Sequence, residues 1–259
     1  MAYCILEVPP KSPKESQLPI LQSWHRLAVS SAPAKRNPSS EAGDDEAVGP
    51  PTKEAFDPAT LSTAAYTLLR KHLLTQIPTH VLIERQRFRS MGSKHILEWT
   101  VRVNMFESIL YAILYTLKAE GAWSGNVIPV TPGKVGPFWV GEDIAEEEGR
   151  LKGKQRTSKS SKIRNKGAKI DLVRKWLEGG EMVRLGNEDV DAMARAYREK
   201  WDRTPGGRKG VKRVELSEGE KMGKLDDLAD CLLQGMAWMQ WEENKRFALK
   251  HGIDTLLDP

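Results

Sequence analysis

Cysteine is almost missing from this chain: among 259 residues it occurs twice, as Cys4 and Cys231, both in apolar surroundings. Two isolated thiols exclude a disulfide framework and a thiolate zinc site, and read as core side chains. Long hydrophobic runs are missing too. The apolar stretches fall well short of the ~20 residues that a bilayer-crossing helix needs, so no membrane partner is expected. Residues 1–30 lack the Arg-rich, acid-poor amphipathic pattern of a transit peptide, and no repeat recurs at a fixed period. Hydrophobic content is 39%, lean but sufficient for one core carrying polar insertions.

Acidic residues are missing from one further place. Between Arg150 and Lys169 the chain carries Arg150, Lys152, Lys154, Arg156, Lys159, Lys162, Arg164, Lys166 and Lys169 without a single carboxylate. The overall balance is only +5, so this concentration is what points to a polyanionic partner. A solvated loop with no ligand is the competing reading of the same run.

What is present begins with short apolar segments separated by polar ones. Residues 2–8 read as a strand ending at Pro9 and Pro10, and a second strand candidate lies in 19–29, with Trp24 and Leu27 inward. Residues 30–54 are too polar to order themselves and are expected to form a disordered insertion. Asp57-Pro58 starts a helix carrying Leu61, Ala64, Ala65, Leu68, Leu69 and Leu73. A long helix is expected over 93–120, with Ile96, Trp99, Val103, Phe106, Leu110, Ile113, Leu114 and Leu117 on a broad apolar stripe. After a strand at 127–130, Pro132 to Pro137 reads as a loop from which Lys134 reaches a phosphate. Residues 141–168 read as a charged, basic insertion before a short helix at 169–177; 189–201 reads as helix and 204–210 as a flexible basic loop.

Two acidic motifs carry the chemistry. Lys224-Leu225-Asp226-Asp227-Leu228-Ala229-Asp230 opens a helix of about thirty residues whose apolar positions recur at helical spacing, so Asp230 shares a side with both Asp226 and Asp227. Three carboxylates in one turn repel one another unless a cation sits among them. Their spacing does not choose between Asp226 and Asp227 as the partner of Asp230, and a solvated face at a helix N-terminus remains open. The other motif is the run Thr79 to Gln86 after Pro78, a buried strand ending in Glu84. Strand ends are where functional groups of sheets with parallel strands gather. A strand-end glutamate with helix aspartates is an oxygen-ligand set suited to Mg2+.

Together, Val-Leu-Ile-Glu-Arg-Gln followed by Arg-Phe-Arg-Ser, and Lys-Leu-Asp-Asp-Leu-Ala-Asp far downstream, resemble the fungal mitochondrial Holliday-junction resolvases. That family shares the ribonuclease-H-like fold of the bacterial RuvC resolvase. Residues 2–7, 57–62 and 127–132 resemble further family segments, so the likeness runs from residue 1 to about 245. It implies an α/β fold with a mixed central sheet flanked by helices and interrupted by polar insertions. It departs in one respect: the family's first strand carries Asp-x-Gly-x-x-Asn-Leu-Ala-Tyr, and this sequence begins just after the aspartate of that pattern, at Met1-Ala2-Tyr3. The DNA-binding helical segment of SAP type that some members carry ahead of that strand is missing as well. The reading frame is accordingly expected to extend upstream and supply Asp-x-Gly.

The resemblance implies a homodimeric endonuclease that cuts four-way DNA junctions in mitochondrial DNA recombination. Glu84, Asp226, Asp227 and Asp230 are its expected catalytic carboxylates and Mg2+ ligands, with Mn2+ as a substitute. Arg85, Gln86, Arg87 and Arg89 are expected to position the scissile strand, and Lys134, Lys159, Lys162, Arg164 and Lys166 to contact phosphates. Two alternatives stay open: a junction-binding protein without catalysis, which the missing aspartate suggests, and a nuclease for RNA in a hybrid duplex.

Overall fold

A computed structural model describes residues 1–10, 18–27, 56–86, 97–150, 158–202, 224–253 and 255, with the side chains of 142–150 and 158–164 outside the description. The insertion expected over 30–54, the basic loop at 204–210, Arg87 and Arg89 lie outside the described residues. By contact the chain falls into two compact units: residues 1–27 with 130–259, and residues 28–129. The sequence reading sets no boundary there.

The first unit is built on a three-stranded sheet. Strand β1 (Ala2–Glu7) pairs antiparallel with β2 (Ile20–Arg26). The ladder is regular from Ala2↔Arg26 to Ile5↔Ser23 and then skips to Leu6↔Leu21, leaving Gln22 as an extra residue on β2. That bulge is why Leu21 and Trp24, three positions apart, are both fully buried. Strict alternation does not foresee this. Trp24 is inward as expected, whereas Leu27 is only half-buried.

Beside β2 runs a two-residue parallel strand, β5 (Arg184–Leu185), which has no signature of its own in the sequence. Its placement is local: the Gly186 amide donates to the Leu21 carbonyl at 3.0 Å, and Asn187 Nδ2 to the Gln22 carbonyl at 2.8 Å. Asn187 Oδ1 also accepts from the Val190 amide at 3.0 Å, starting α5 (Glu188–Asp202). Val190, Met193, Ala194 and Tyr197 then bury one face of that helix, with Tyr197 against Trp24 at a ring separation of 5.0 Å.

Three more helices of this unit lie among the described residues. Helix α3 (Pro132–Arg150) starts where Pro132 to Pro137 suggested a loop, so Lys134 stands in its first turn. Glycine and proline are read locally as breakers, but Val135 and Val140 are buried and Trp139 Nε1 donates to the Leu233 carbonyl at 3.0 Å; packing decides the conformation. Helix α4 (Ser158–Gly179) is likewise longer than the helix expected at 169–177. With α3 it makes most of the charged segment 141–168 helical rather than irregular.

Helix α6 (Leu225–His251) packs against the sheet and against both of these helices. Its residues Leu232 to Ala237 are buried without interruption, as in a helix with neighbours all round. At Gly235 a Cβ would stand 2.7 Å from Leu6 Cδ1, so the helix lies close against β1 there.

The second unit holds α1 (Pro58–Thr67), α2 (Glu98–Ala119) and a two-stranded sheet of β3 (His80–Glu84) and β4 (Asn126–Val130), which α2 separates in sequence. Asp57 caps α1 as the sequence suggests, accepting from the Ala59 and Thr60 amides at 3.0 Å, with Pro58 at the first helical position. The helix continues as a π turn over Leu68–Leu73 and a 3-10 turn over Leu74–Gln76, and stops at Ile77, whose φ of 46° is left-handed. Phe106, Leu110, Leu114 and Leu117 of α2 are buried, while Trp99 is 65% exposed and stands edge-on to Phe56. Trp99 thus lies outside the stripe in which the sequence placed it.

Candidate functional site

The acidic turn sits just ahead of the buried part of α6. Leu228 and Ala229 are fully buried within it and fix the turn against the sheet, assisted by Trp24 Nε1, which donates to the Leu228 carbonyl at 3.0 Å. Asp226 and Asp227 lie in the first helical turn, where the helix dipole favours negative charge. Asp230 is one turn further on. All three aspartates project from the packed backbone toward bases.

Each carboxylate has its own cation. Lys166 Nζ lies 2.6 Å from Asp226 Oδ2, Arg26 Nε donates to Asp227 Oδ2 at 3.1 Å, and Lys169 Nζ donates to Asp230 Oδ1. Lys166 and Lys169 come from α4 and Arg26 from the end of β2, so three positive groups converge on one helical turn. The order of the lysines matches that of the aspartates, so α4 and α6 run in the same sense here. Sequence reading named Lys166 as a phosphate contact and gave Arg26 no role; 201 residues separate Arg26 from Asp227, so no local signal joins them.

In donor chemistry and charge this set fits a hard divalent cation, since its members are carboxylate oxygens that each already draw a positive group. In grouping it remains open: among the described residues no three His, Cys, Asp or Glu side chains are gathered around one point. The side chains that would hold Mg2+ on α6 are Asp226, Asp227 and Asp230.

Burial raises the neighbouring Tyr197 hydroxyl well above its ordinary range, with further contributions from Cys231, Asp230 and Asp226. It stays neutral and donates to the Ile170 carbonyl at 3.3 Å. This hydroxyl ties α5 to α4 within the packed core.

Glu84 lies in the second unit, as the last residue of β3, with Val81 and Ile83 buried before it. Gln86 organises its surroundings. The Gln86 amide N–H donates to Glu107 Oε2 on α2 at 3.0 Å, and its side-chain amide approaches Glu84 Oε1 at 3.5 Å. Glu107 is a residue that sequence reading passed over; its only signal is a carboxylate beside the buried Phe106. Arg85 and Lys134 are exposed, and the side chains of Lys159, Lys162 and Arg164 on α4 fall outside the description.

Comparison with known proteins decides the family. The model of the family described as mitochondrial resolvase Ydc2 / RNA splicing MRS1 matches residues 1–247. The chain belongs to that family. Among its relatives is the mitochondrial cruciform cutting endonuclease 1 of Schizosaccharomyces pombe, 29% identical over 202 residues, a match covering 76% of this chain and 62% of that protein. Its namesake in Saccharomyces cerevisiae is 28% identical over 207 residues, covering 74% and 56%. The chain thus spans roughly three-fifths of the length of these relatives.

The crystal structure of the yeast mitochondrial Holliday junction resolvase Ydc2 aligns with a TM-score of 0.51 at 24% identity, covering 98% of this chain and 77% of the other. The fold is therefore that of the resolvase, ribonuclease-H-like, as the sequence implied.

Proposed function

We propose that this chain is a structure-selective, Mg2+-dependent endonuclease that cuts four-way DNA junctions and works in mitochondrial DNA recombination as a homodimer. One observation carries the reading: a chain matched to the resolvase family over residues 1–247 presents three aspartates in one turn of α6, each drawing a cation. Both relatives named above are described as cutting enzymes, which favours catalysis over junction binding alone. The family motif makes Glu84 a further expected catalytic carboxylate.

Bound Mg2+ would supply an activated water and stabilise the leaving 3′ oxygen. The protein's own groups do the rest. Asp226, Asp227 and Asp230 hold a concentrated negative charge at a fixed place, because Leu228, Ala229 and the Trp24 hydrogen bond pin the backbone between them. Gln86, whose backbone amide donates to Glu107, brings its side-chain amide to Glu84 and so helps to orient that carboxylate. Arg85, Arg87 and Arg89 follow as phosphate contacts that carry no base information, so junction shape, rather than sequence, dominates affinity.

The test is cleavage, binding and melting of Glu84→Gln, Asp226→Asn, Asp227→Asn and Asp230→Asn in the full-length protein. Ligand loss predicts that Glu84→Gln, Asp230→Asn and at least one of Asp226→Asn and Asp227→Asn lose Mg2+-dependent junction cleavage by orders of magnitude, with junction affinity retained. Active but destabilised variants would make these groups structural ion-pair partners. Competition between junction DNA and an RNA–DNA hybrid separates the junction reading from a hybrid nuclease.

A further inference from the structure

The two lysines of α4 do more than neutralise the acidic turn. A hard divalent ion takes carboxylate oxygens directly, at short range and from several donors. An ammonium group on the same oxygen opposes this by like-charge repulsion. As described, Asp226 and Asp230 give oxygens to Lys166 and Lys169, and no three carboxylates converge among the described residues. Binding a cation there therefore requires the lysines to let go.

The geometry allows exchange. Lys166 is 49% exposed and Asp230 36%, so each pair keeps a water-facing member and a route for an incoming ion. Asp227 is paired with Arg26, which comes from β2 and not from α4. The released ammonium groups would belong to the helix whose preceding turns carry Lys159, Lys162 and Arg164 in sequence, a run already suited to phosphate.

We propose that Lys166 and Lys169 are exchangeable counter-ions of the acidic turn: a divalent cation binding Asp226 and Asp230 displaces both, and the freed side chains then take backbone phosphates of bound nucleic acid. Cation occupancy and the grip of α4 on DNA are thereby coupled through two side chains. The inference rests on the reading of this turn as a metal site.

Two measurements test it, in the full chain. Calorimetric titration of Mg2+ without DNA compares the wild type with Lys166→Gln, Lys169→Gln and the double variant, with Lys175→Gln as control. Lys175 pairs with Asp171 inside α4, so that control removes the same charge away from the turn. Removing either counter-ion should tighten Mg2+ by about two- to fivefold, the scale of a partly exposed ion pair, while Lys175→Gln changes nothing. The salt dependence of four-way-junction binding is then measured with EDTA and with non-cleaving Ca2+. Ca2+ should steepen the wild-type slope by up to about 0.9 per freed lysine and leave the double variant's slope unchanged.

Equal Mg2+ affinity in wild type and double variant, equal tightening by Lys175→Gln, or a wild-type slope indifferent to Ca2+ overturns the coupling. Absence of Mg2+ binding by the wild type, or undiminished binding by an Asp226→Asn, Asp230→Asn double variant, overturns the metal reading beneath it.

Discussion

The indole Nε1–H of Trp24 donates to the Leu228 carbonyl at 3.0 Å, tying β2 to α6 inside the turn that carries the three aspartates. The indole is fully buried and stacks obliquely on Tyr197. Trp24→Phe keeps most of the ring area but deletes the donor. It is expected to cost about 1–3 kcal/mol, the sum of a lost buried hydrogen bond and a partly filled cavity. Thermal melting measures the loss, and a Tm equal to wild type would show that the bond contributes nothing to holding the turn.

Glu107 is expected to act on the end of β3 from a distance. Glu107→Ala leaves the Gln86 amide without its acceptor, a loss of about 1 kcal/mol in a half-buried setting. Faster hydrogen exchange at Gln86 would report the release directly. Unchanged exchange there would mean that water replaces the carboxylate at no cost.

Gly125 lies under the Trp123 ring, whose Nε1 donates to the Pro78 carbonyl at 2.8 Å. A Cβ at position 125 would stand 2.2 Å from Trp123 Cζ2 and 2.7 Å from the Pro78 oxygen, which is backbone and cannot swing aside. Gly125→Ala should therefore destabilise the protein by about 1–3 kcal/mol through overpacking. A melt of the variant that matched wild type would require the indole to be displaced without penalty.

Alkaline pH should progressively destabilise the fold. Burial, then contact with the Cys4 thiol, pushes the Cys231 thiol above its ordinary value of 9.0, and burial raises Tyr197 above 10.0. Both groups stay protonated in the folded state after their unfolded counterparts have ionised. Their contribution is complete below about pH 9 and is lost as pH rises, first through Cys231 and then through Tyr197. Tm recorded from pH 7 to 11 should fall across that window, and Cys231→Ala should flatten its beginning. A decline of the same shape in that variant would assign the loss elsewhere.

The basic half of α4 can be probed by charge alone. Lys159, Lys162 and Arg164 replaced by Ala should weaken junction binding and flatten the slope of log K against log salt by up to about 0.9 per lost contact. Alanine keeps the helix, so circular dichroism should not change. An unchanged slope would make this run a solvated surface.

How far the sequence could be read follows from where the determinants lie. Asp57-Pro58, the apolar run ending in Glu84 and the periodic opening of α6 are each specified by adjacent residues, so they were legible. The ion pairs of the acidic turn were not. Lys169 is 61 residues from Asp230 and Arg26 is 201 from Asp227, and nothing in either neighbourhood announces the other. Lys166 looked like one more phosphate contact in a basic run for the same reason. Strand β5 is two residues whose identity as a strand comes from pairing with β2. Pro132 to Pro137 misled in the opposite direction, because local breakers there are outweighed by the burial of Val135 and by the hydrogen bond of Trp139.

The extra residue at Gln22 bears on how this strand tolerates changes of length. Leu21 and Trp24 are buried together because one position between them is left out of the ladder. Removing Gln22 would place the two side chains two residues apart in an unbroken strand, still on the same face. Such a deletion would forfeit the hydrogen bonds that join Gln22 to Glu7 and Asn187 at the margin of the sheet. Inserting or removing a residue between Leu21 and Trp24 while keeping the bulge turns one of the two core side chains outward. Within β2, then, a deletion at Gln22 is a change of length that leaves inside and outside unexchanged.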